Sequence, residues 1–401
     1  MKKYFLSPVV LFCIALNYAQ AEAGAIKRND RELNQGTILY SADFSKGIPA
    51  DFVNMGGWLK IKEGITSTAV GLNNYLMLIR QYAVNTRKAS IKVNFGSDTK
   101  LNFFSPEIDH FHHWGTLIQV DVKNGLLKIF KAYNVDDKEY PDLLTDHPYL
   151  FVAGRDYDIE MMSEPTQNIF IIVDNLTGTR DSTKLERLNS GLVRDLFSFA
   201  TESGTPPLVK SMTISTQYKK GLPILYIGDS ITEEFSGSPT SFSQNGKSII
   251  SGRSAGIVLG VQNRVLSEIA ILRPKYVSIL IGTNGFNTVD NLTELCKSIL
   301  KLGITPLLNN IPWRKPASVI EENEKISTVR KNLRIKGAAF DVATSVDGLN
   351  IQQDMSLFKE DGVHPNELGL QKMYERFKLD VPEVFKYIIK TKNVSRYSLN
   401  H

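Results

Sequence analysis

The stretch Ile224-Leu-Tyr-Ile-Gly-Asp-Ser-Ile-Thr232 decides the architecture of the second half of the chain. Four apolar residues in a row, from Ile224 to Ile227, are typical of a strand buried on both faces of a parallel sheet. A glycine then permits a tight turn, and Asp229 and Ser230 follow where the strand ends. Ligands of open parallel sheets bind beyond the carboxyl ends of the strands, so the sequence places the Ser230 hydroxyl beside a cleft.

The same pattern continues towards the C-terminus. Short apolar runs alternate with longer segments whose apolar residues recur at helical spacing. The runs are 277–281, 304–308 and 338–342, and the helical segments are 257–272, 291–302, 319–335 and 366–389. This alternation predicts an α/β domain with a parallel sheet covered on both faces, which we assign to residues 222–392.

The first half of the chain has a different pattern, in which apolar and polar residues alternate over short segments bounded by turn residues. These segments are 89–95, 117–122, 126–130, 157–161, 169–173 and 208–215. The dipeptide Asn124-Gly125 between two of them predicts a hairpin turn. We therefore expect a second domain, an all-β sandwich over residues 22–216, joined to the α/β domain near 218–223.

Residues 1–21 have the features of a secretion signal. Lys2 and Lys3 precede an apolar stretch over 5–16, and small residues follow at Ala19 and Ala21. The stretch is too short to span a bilayer, which takes about 20 residues, although an uncleaved anchor is the alternative. The sequence thus predicts a signal peptide, a secreted or periplasmic location and no stable membrane insertion after cleavage.

Composition gives no sign of a nucleic-acid partner, a metal or a cofactor. The formal net charge is +5 over 401 residues, and no block of basic residues occurs. Cysteine and histidine do not cluster at zinc-binding spacing. Cys13 falls in the predicted signal, which leaves Cys296 alone on a predicted helix, where a buried apolar role is expected.

A serine hydroxyl is a weak nucleophile and needs a base. Among the internal histidines of the predicted α/β domain only His364 is available, and it stands just before the last helix. Asp361 precedes it by three residues, and a turn at Gly362 would bring the carboxylate to the imidazole. We therefore predict that Ser230, His364 and Asp361 form a catalytic triad, the alternatives being helix capping and turn formation.

Four short blocks in this half resemble the SGNH/GDSL hydrolase superfamily of esterases and acetylesterases. They are Gly228-Asp-Ser-Ile231, Ile250-Ser-Gly252, Gly282-Thr-Asn284 and Asp361-Gly-Val-His-Pro365, in the family's order. The resemblance implies a three-layer, flavodoxin-like α/β fold and a serine esterase. It also implies an oxyanion hole made by the Ser230 and Gly252 backbone N–H groups and the Asn284 amide, without a cofactor. The family's usual Asp after the Asn is Gly285 here, which leaves the shape or bracing of that loop open.

The first half is similar in outline to concanavalin A-like, laminin-G-like sandwiches. The similarity rests on Phe44-Ser-Lys-Gly47, Trp58 and Ser203-Gly204, and it implies a carbohydrate-contacting or spacer role. The segment Asp109–Trp114, which holds three histidines, is interpreted as a polar loop, with an aromatic binding loop or a metal site as alternatives. In the second half, Trp313 follows a predicted strand, where it would either stack on a sugar ring or be buried.

Together these features predict a secreted carboxylic ester hydrolase that removes O-acetyl groups from a polysaccharide or glycan. The stretch from Ser230 to Gly252 is short and polar, without the apolar lid expected of a lipase. The substrate would accordingly be an acylated carbohydrate or another small ester. A carbohydrate-binding protein with an inactive hydrolase-like domain, or a lipase or phospholipase of the same superfamily, are the alternatives.

Overall fold

The computed structural model describes residues 36–71, 74–108, 113–132, 142–165, 167–186, 197–236, 242–243, 248–314 and 316–386. The predicted signal peptide and residues 109–112 of the histidine-containing loop lie outside these ranges. The described residues from Thr37 onward belong to one compact unit.

The first half forms two antiparallel sheets. Its strands are β1 (Thr37–Asp43), β2 (Phe52–Asn54), β3 (Trp58–Ile61), β4 (Gly64–Ser67), β5 (Tyr75–Leu78), β6 (Arg87–Asn94), β7 (Lys100–Ile108), β8 (His113–Asp121), β9 (Leu126–Ala132), β10 (Asp142–Pro148), β11 (Asp156–Ser163), β12 (Gln167–Asp174), β13 (Arg180–Glu186), β14 (Phe197–Ser203) and β15 (Leu208–Thr216). One sheet has the order β13-β12-β11-β6-β15-β4-β3, with β1 also paired to β15, and the other has the order β10-β9-β8-β7-β14-β5-β2.

The two sheets pack face to face as a sandwich. Along β6 every second residue is buried, as expected for a strand with one face on the core. Trp58 of one sheet meets Phe199 of the other edge to face, with ring centroids 5.0 Å apart. Trp58, one of the residues on which the resemblance to known sandwiches rests, is buried and packs in the core. The Asn124-Gly125 hairpin lies between β8 and β9 as predicted, with Gly125 at φ 63°.

The second half contains a parallel sheet of four strands among the described residues. They are β16 (Ile224–Gly228), β17 (Ser248–Gly252), β18 (Tyr276–Leu280) and β19 (Thr305–Leu308), in the order β17-β16-β18-β19. Every residue of β16, β17 and β18 is buried, so both faces of the sheet are covered. The prediction from the continuous apolar runs, a sheet buried on both faces, is therefore confirmed.

Helices connect and flank these strands. They are α1 (Ser230–Glu234), α2 (Val258–Arg264), a π-helical turn (Val265–Ile269), α3 (Ala270–Leu272), α4 (Val289–Lys301), α5 (Pro316–Leu333), α6 (Phe340–Ala343) and α7 (Glu367–Asp380), with 3₁₀ turns at Phe44–Lys46, Val346–Gly348 and Met355–Leu357. The predicted helix 366–389 is interrupted after Asp380, because Pro382 cannot continue its hydrogen bonding.

The predicted strand 338–342 is wrong. The chain runs parallel to β19 only around Lys336, which bridges to Leu307, and Ala338 then accepts a hydrogen bond from the Asn310 N–H. Helix α6 follows at once. The buried Asp341 carboxylate accepts hydrogen bonds from the Asn310 and Asn323 side chains, a polar arrangement that an apolar-run prediction does not detect.

The sandwich and the parallel sheet are joined through backbone contacts. Strand β17 is the outermost strand of the parallel sheet, and the Asn85 N–H donates to the Ile250 carbonyl of that strand over 2.8 Å. Asn85 also bonds through its side chain to the Tyr218 hydroxyl. A segment of the first half thus donates a hydrogen bond to the outer edge of β17, which no other described strand of the parallel sheet pairs with.

Candidate active site

The end of β16 places Ser230 at the first position of α1. Asp229 caps this helix, its carboxylate accepting the Ile231 N–H at 3.1 Å. Gly228 allows β18 to approach closely, because a Cβ at this position would lie 1.9 Å from the Leu280 carbonyl oxygen. The position of Ser230 is therefore set by the end of β16, by the Asp229 cap and by Gly228, whose position has no room for a side chain.

The structure brings Ser230, His364 and Asp361 into one chain of hydrogen bonds. His364 Nε2 lies 2.8 Å from Ser230 Oγ, and His364 Nδ1 lies 2.6 Å from Asp361 Oδ2. The other Asp361 oxygen accepts the backbone N–H groups of Val363 and His364, both at 2.9 Å. Gly362, at φ 62°, makes the tight loop possible. The predicted turn thus has the geometry needed to hold the imidazole in one orientation.

The ionisation of Asp361 determines which nitrogen of the His364 ring carries the hydrogen. Partial burial raises the pKa of Asp361, but the His364 and Val363 N–H groups and the His364 ring outweigh it and lower the pKa to about 2. Asp361 is therefore ionised throughout the range in which imidazoles titrate, around pH 6.5. An ionised carboxylate only accepts, so Nδ1 carries a hydrogen and Nε2 is left to accept from the Ser230 hydroxyl.

The two further donors named by the sequence lie beside the Ser230 turn. A Cβ on Gly252 would be 2.0 Å from the Glu233 backbone nitrogen, so the end of β17 packs directly on α1. Asn284 Nδ2 donates to the Gly256 carbonyl at 2.9 Å, and a Cβ on Gly256 would approach Asp229 Cα to 3.3 Å. An amide nitrogen carries two hydrogens. In the described part of the chain one hydrogen-bond acceptor is seen for this nitrogen, so a second hydrogen is left for a substrate oxygen.

The loop after Asn284 has an unusual course. Gly285 and Phe286 both have left-handed backbone conformations, with φ of 78° and 65°. Glycine takes this conformation without strain, so Gly285 suits the loop better than the aspartate usual in the resembling family. Phe286 is held there by the Asn291 side chain, whose Nδ2 donates to the Phe286 carbonyl. Its ring is 77% exposed on the same loop as the Asn284 amide.

The sugar-stacking role predicted for Trp313 does not fit the structure. Trp313 is 1% exposed, its indole N–H donates to Asn350 at 2.8 Å, and its backbone N–H donates to the Thr344 hydroxyl. Both faces of the ring are covered, so the buried alternative holds. The reason is that the chain after β19 turns inward towards α6 instead of continuing along the rim.

Two charged residues near the site lie outside the four sequence blocks. Arg264 and Glu268 are both buried, and Arg264 Nη2 donates to the Gly228 carbonyl at 2.8 Å, two residues before Ser230. A signal for them existed in the sequence. They stand four residues apart in the predicted helix 257–272, among the apolar residues of its buried side, where unpaired charges would be costly.

The described residues hold no group of histidine, cysteine or acidic side chains arranged for a metal ion. Cys296 is fully buried, and burial raises the pKa of its thiol to about 12, which agrees with the predicted apolar role. Among the helices within the described ranges, none combines the length and apolar character needed to cross a membrane.

Comparison with protein-family profiles gave no match, and comparison with curated proteins gave none either. Solved structures share parts of the fold. A GDSL-like lipase from Bacteroides thetaiotaomicron is 20% identical with a TM-score of 0.37, covering 41% of this chain and 89% of its own. A catalytic mutant of an acetylxylan esterase from Geobacillus stearothermophilus is 15% identical, with a TM-score of 0.34 and coverages of 41% and 95%. A carbohydrate-binding module from Bacillus subtilis is 13% identical, with a TM-score of 0.32 and coverages of 41% and 96%.

Proposed function

We propose that this protein is a serine ester hydrolase of the SGNH type that removes short acyl groups, acetyl above all, from a carbohydrate. The observation that carries the proposal is the chain of contacts from Asp361 through His364 to Ser230, with heavy-atom distances of 2.6 and 2.8 Å. Distances in this range are those at which a base takes a proton from a nucleophile.

The mechanism follows from the placement of each group. Ser230 Oγ attacks the ester carbonyl while His364 Nε2 takes its proton, and Asp361 stabilises the imidazolium that forms. The Ser230 and Gly252 N–H groups and the Asn284 amide donate to the developing oxyanion. His364 then protonates the departing alcohol, and a water molecule, deprotonated by the same imidazole, releases the acyl group from Ser230.

The preference for a carbohydrate ester is inferred from features outside the triad. The predicted signal peptide would place the protein outside the cytoplasm, and the sandwich resembles carbohydrate-contacting folds in outline. Phe286 offers an exposed ring on the loop that also carries Asn284. Aromatic rings of this kind supply flat apolar surface to a sugar while leaving its hydroxyls to solvent. The short polar stretch after Ser230 lies partly outside the described residues, so its lack of a lid stays a prediction.

The decisive experiment compares wild type with Ser230→Ala on p-nitrophenyl acetate. We expect Ser230-dependent turnover in the wild type and none above background in the variant. Equal rates would rule out the hydrolase and favour a carbohydrate-binding protein with an inactive domain. Acetate release from a panel of acetylated glycans would then identify the alcohol.

A second comparison separates the esterase from a lipase or phospholipase. Rates on p-nitrophenyl acetate and p-nitrophenyl octanoate should favour acetate. A preference for octanoate, increased at a lipid surface, would instead indicate the lipase alternative.

A further inference from the structure

Glu268 is a buried carboxylate that joins the two halves of the molecule. It lies in the π-helical turn and is fully shielded from solvent. Its Oε1 accepts the backbone N–H groups of Ala83 and Val84, which follow β5 of the sandwich. Its Oε2 accepts the hydroxyl of Ser251 on β17. One side chain thus contacts both the sandwich backbone and the strand that ends in Gly252.

Arg264 links Glu268 to the turn before the nucleophile through its charge, which acts on the Glu268 carboxylate. It is buried one turn before Glu268, and it donates to the Gly228 carbonyl. Burial raises the pKa of Glu268, while the charge of Arg264 and the donors from Ser251 and the sandwich backbone oppose that change. These three donors and the nearby guanidinium support the carboxylate, but burial still leaves its pKa above the ordinary value of a glutamate.

The network ends at two segments of the candidate site. Gly228 lies two residues before Ser230 along the chain, and Ser251 lies one residue before Gly252. Both segments contribute a backbone N–H to the proposed oxyanion hole. Their spacing fixes where the two donors point, and a shift of a few tenths of an ångström changes how they meet the oxyanion.

We propose that Glu268 is a positioning residue through which the sandwich sets the geometry of the oxyanion hole. The inference rests on the proposed ester hydrolysis. In this arrangement the sandwich acts on catalysis through the Ala83 and Val84 backbone, whether or not it also binds a carbohydrate. Glu268 contacts no reacting atom, so its removal should slow the chemical step and leave ester binding unchanged.

The test is Glu268→Gln in the full chain, assayed on p-nitrophenyl acetate. Glutamine keeps the size of the side chain and an oxygen for the two N–H groups, but it removes the charge beside Arg264. We expect kcat to fall at least about tenfold while KM stays within about twofold. A folded variant with the kcat of the wild type would overturn the inference.

A matched control is Glu160→Gln. Glu160 is also buried, and it accepts a hydrogen bond from Lys88 within the sandwich, away from β17. The Glu160→Gln variant should have a lower thermal stability than the wild type but the same kcat and KM. If both variants lowered kcat equally, the effect would belong to general destabilisation and the inference would fail.

Ser251→Ala provides a smaller change should Glu268→Gln not fold. It removes the Ser251 hydroxyl from the network and should lower kcat with KM unchanged. Where both variants fold, their combined effect on kcat should be smaller than the product of the single effects, because both break one network. A kcat for Ser251→Ala equal to that of the wild type would contradict the inference.

Ser230→Ala is assayed beside these variants to keep the two proposals apart. If wild type and Ser230→Ala have equal rates, the proposed function fails and the inference falls with it. If wild type shows Ser230-dependent turnover and Glu268→Gln matches it, only the inference fails.

Discussion

Asn284 is a donor whose position is set by its other hydrogen bond. One amide hydrogen is donated to the Gly256 carbonyl, and the second is the one that we propose donates to the oxyanion. Replacing Asn284 by Ala should lower kcat by about 10²- to 10³-fold, since an oxyanion donor acts mainly in the transition state. Steady-state kinetics on p-nitrophenyl acetate would measure this.

Asn284→Asp serves as the companion variant. It has the same size but presents oxygen where the amide nitrogen donates, so it should be at least as impaired as Asn284→Ala. A variant with aspartate that retained wild-type kcat would show that this side chain does not donate to the oxyanion.

Phe286 is expected to contact the alcohol part of the substrate. Its ring is 77% exposed although the loop that carries it is braced by Asn291. Phe286→Ala should raise KM for an acetylated glycan several-fold, roughly the effect of losing one stacking contact of about 1 kcal/mol. Its kcat on p-nitrophenyl acetate should be unchanged. Phe286→Tyr keeps the ring and should keep the KM, and an unchanged KM in the alanine variant would rule out this contact.

Helix α1 is short, and its N-cap is the carboxylate of Asp229, which is fully buried. Burial raises the pKa of Asp229 from 3.8 to about 6, and contacts with Thr283 and the Ile231 N–H only partly oppose this. The folded protein therefore holds a proton there that the unfolded chain releases. Between roughly pH 4 and pH 6 the free energy of unfolding should fall as the pH rises, by up to about 3 kcal/mol for this group.

Asp229→Asn should remove this dependence and retain the cap, because asparagine is an equally good N-cap. Urea unfolding at several pH values would show a flatter profile for the variant between pH 4 and pH 6. Asp354→Asn is the control, since Asp354 caps the turn Met355–Leu357 in the same way but is only half-buried. If Asp229→Asn and wild type have parallel profiles, Asp229 does not titrate in this range.

At the scale of the whole molecule, the sandwich and the parallel sheet are expected to depend on each other. Deleting residues 37–216 would leave the outer side of β17 without the Asn85 N–H and Glu268 without two of its donors. We expect the remaining chain to be insoluble or to lack Ser230-dependent turnover. Co-expression of the deleted part as a separate chain should restore some soluble activity, whereas a soluble and active fragment on its own would contradict the expectation.

The apolar runs predicted β16, β18 and β19 but not β17, and the short motifs predicted the meeting of Ser230 with His364. The strands have a local apolar signal, whereas Ser230 and His364 were paired because a nucleophile needs a base and an orienting carboxylate. Trp313 and the segment 338–342 were harder to predict, because their course depends on side-chain contacts of the buried Asp341 and the exposed Asn350. Such contacts have no periodic signature in the sequence. The contact of Glu268 with the sandwich could not be predicted for a related reason, since two of its three donors lie about 185 residues away in the sequence.

The contact between Asn85 and β17 also bears on how the chain reaches its folded state. Synthesis delivers the sandwich first, so the backbone that will meet β17 is present before β17 leaves the ribosome. An outermost parallel strand is otherwise free to pair with a neighbouring chain. We expect this order of synthesis to limit aggregation, so a circular permutant with the parallel sheet first should give a lower soluble yield on expression than the natural order.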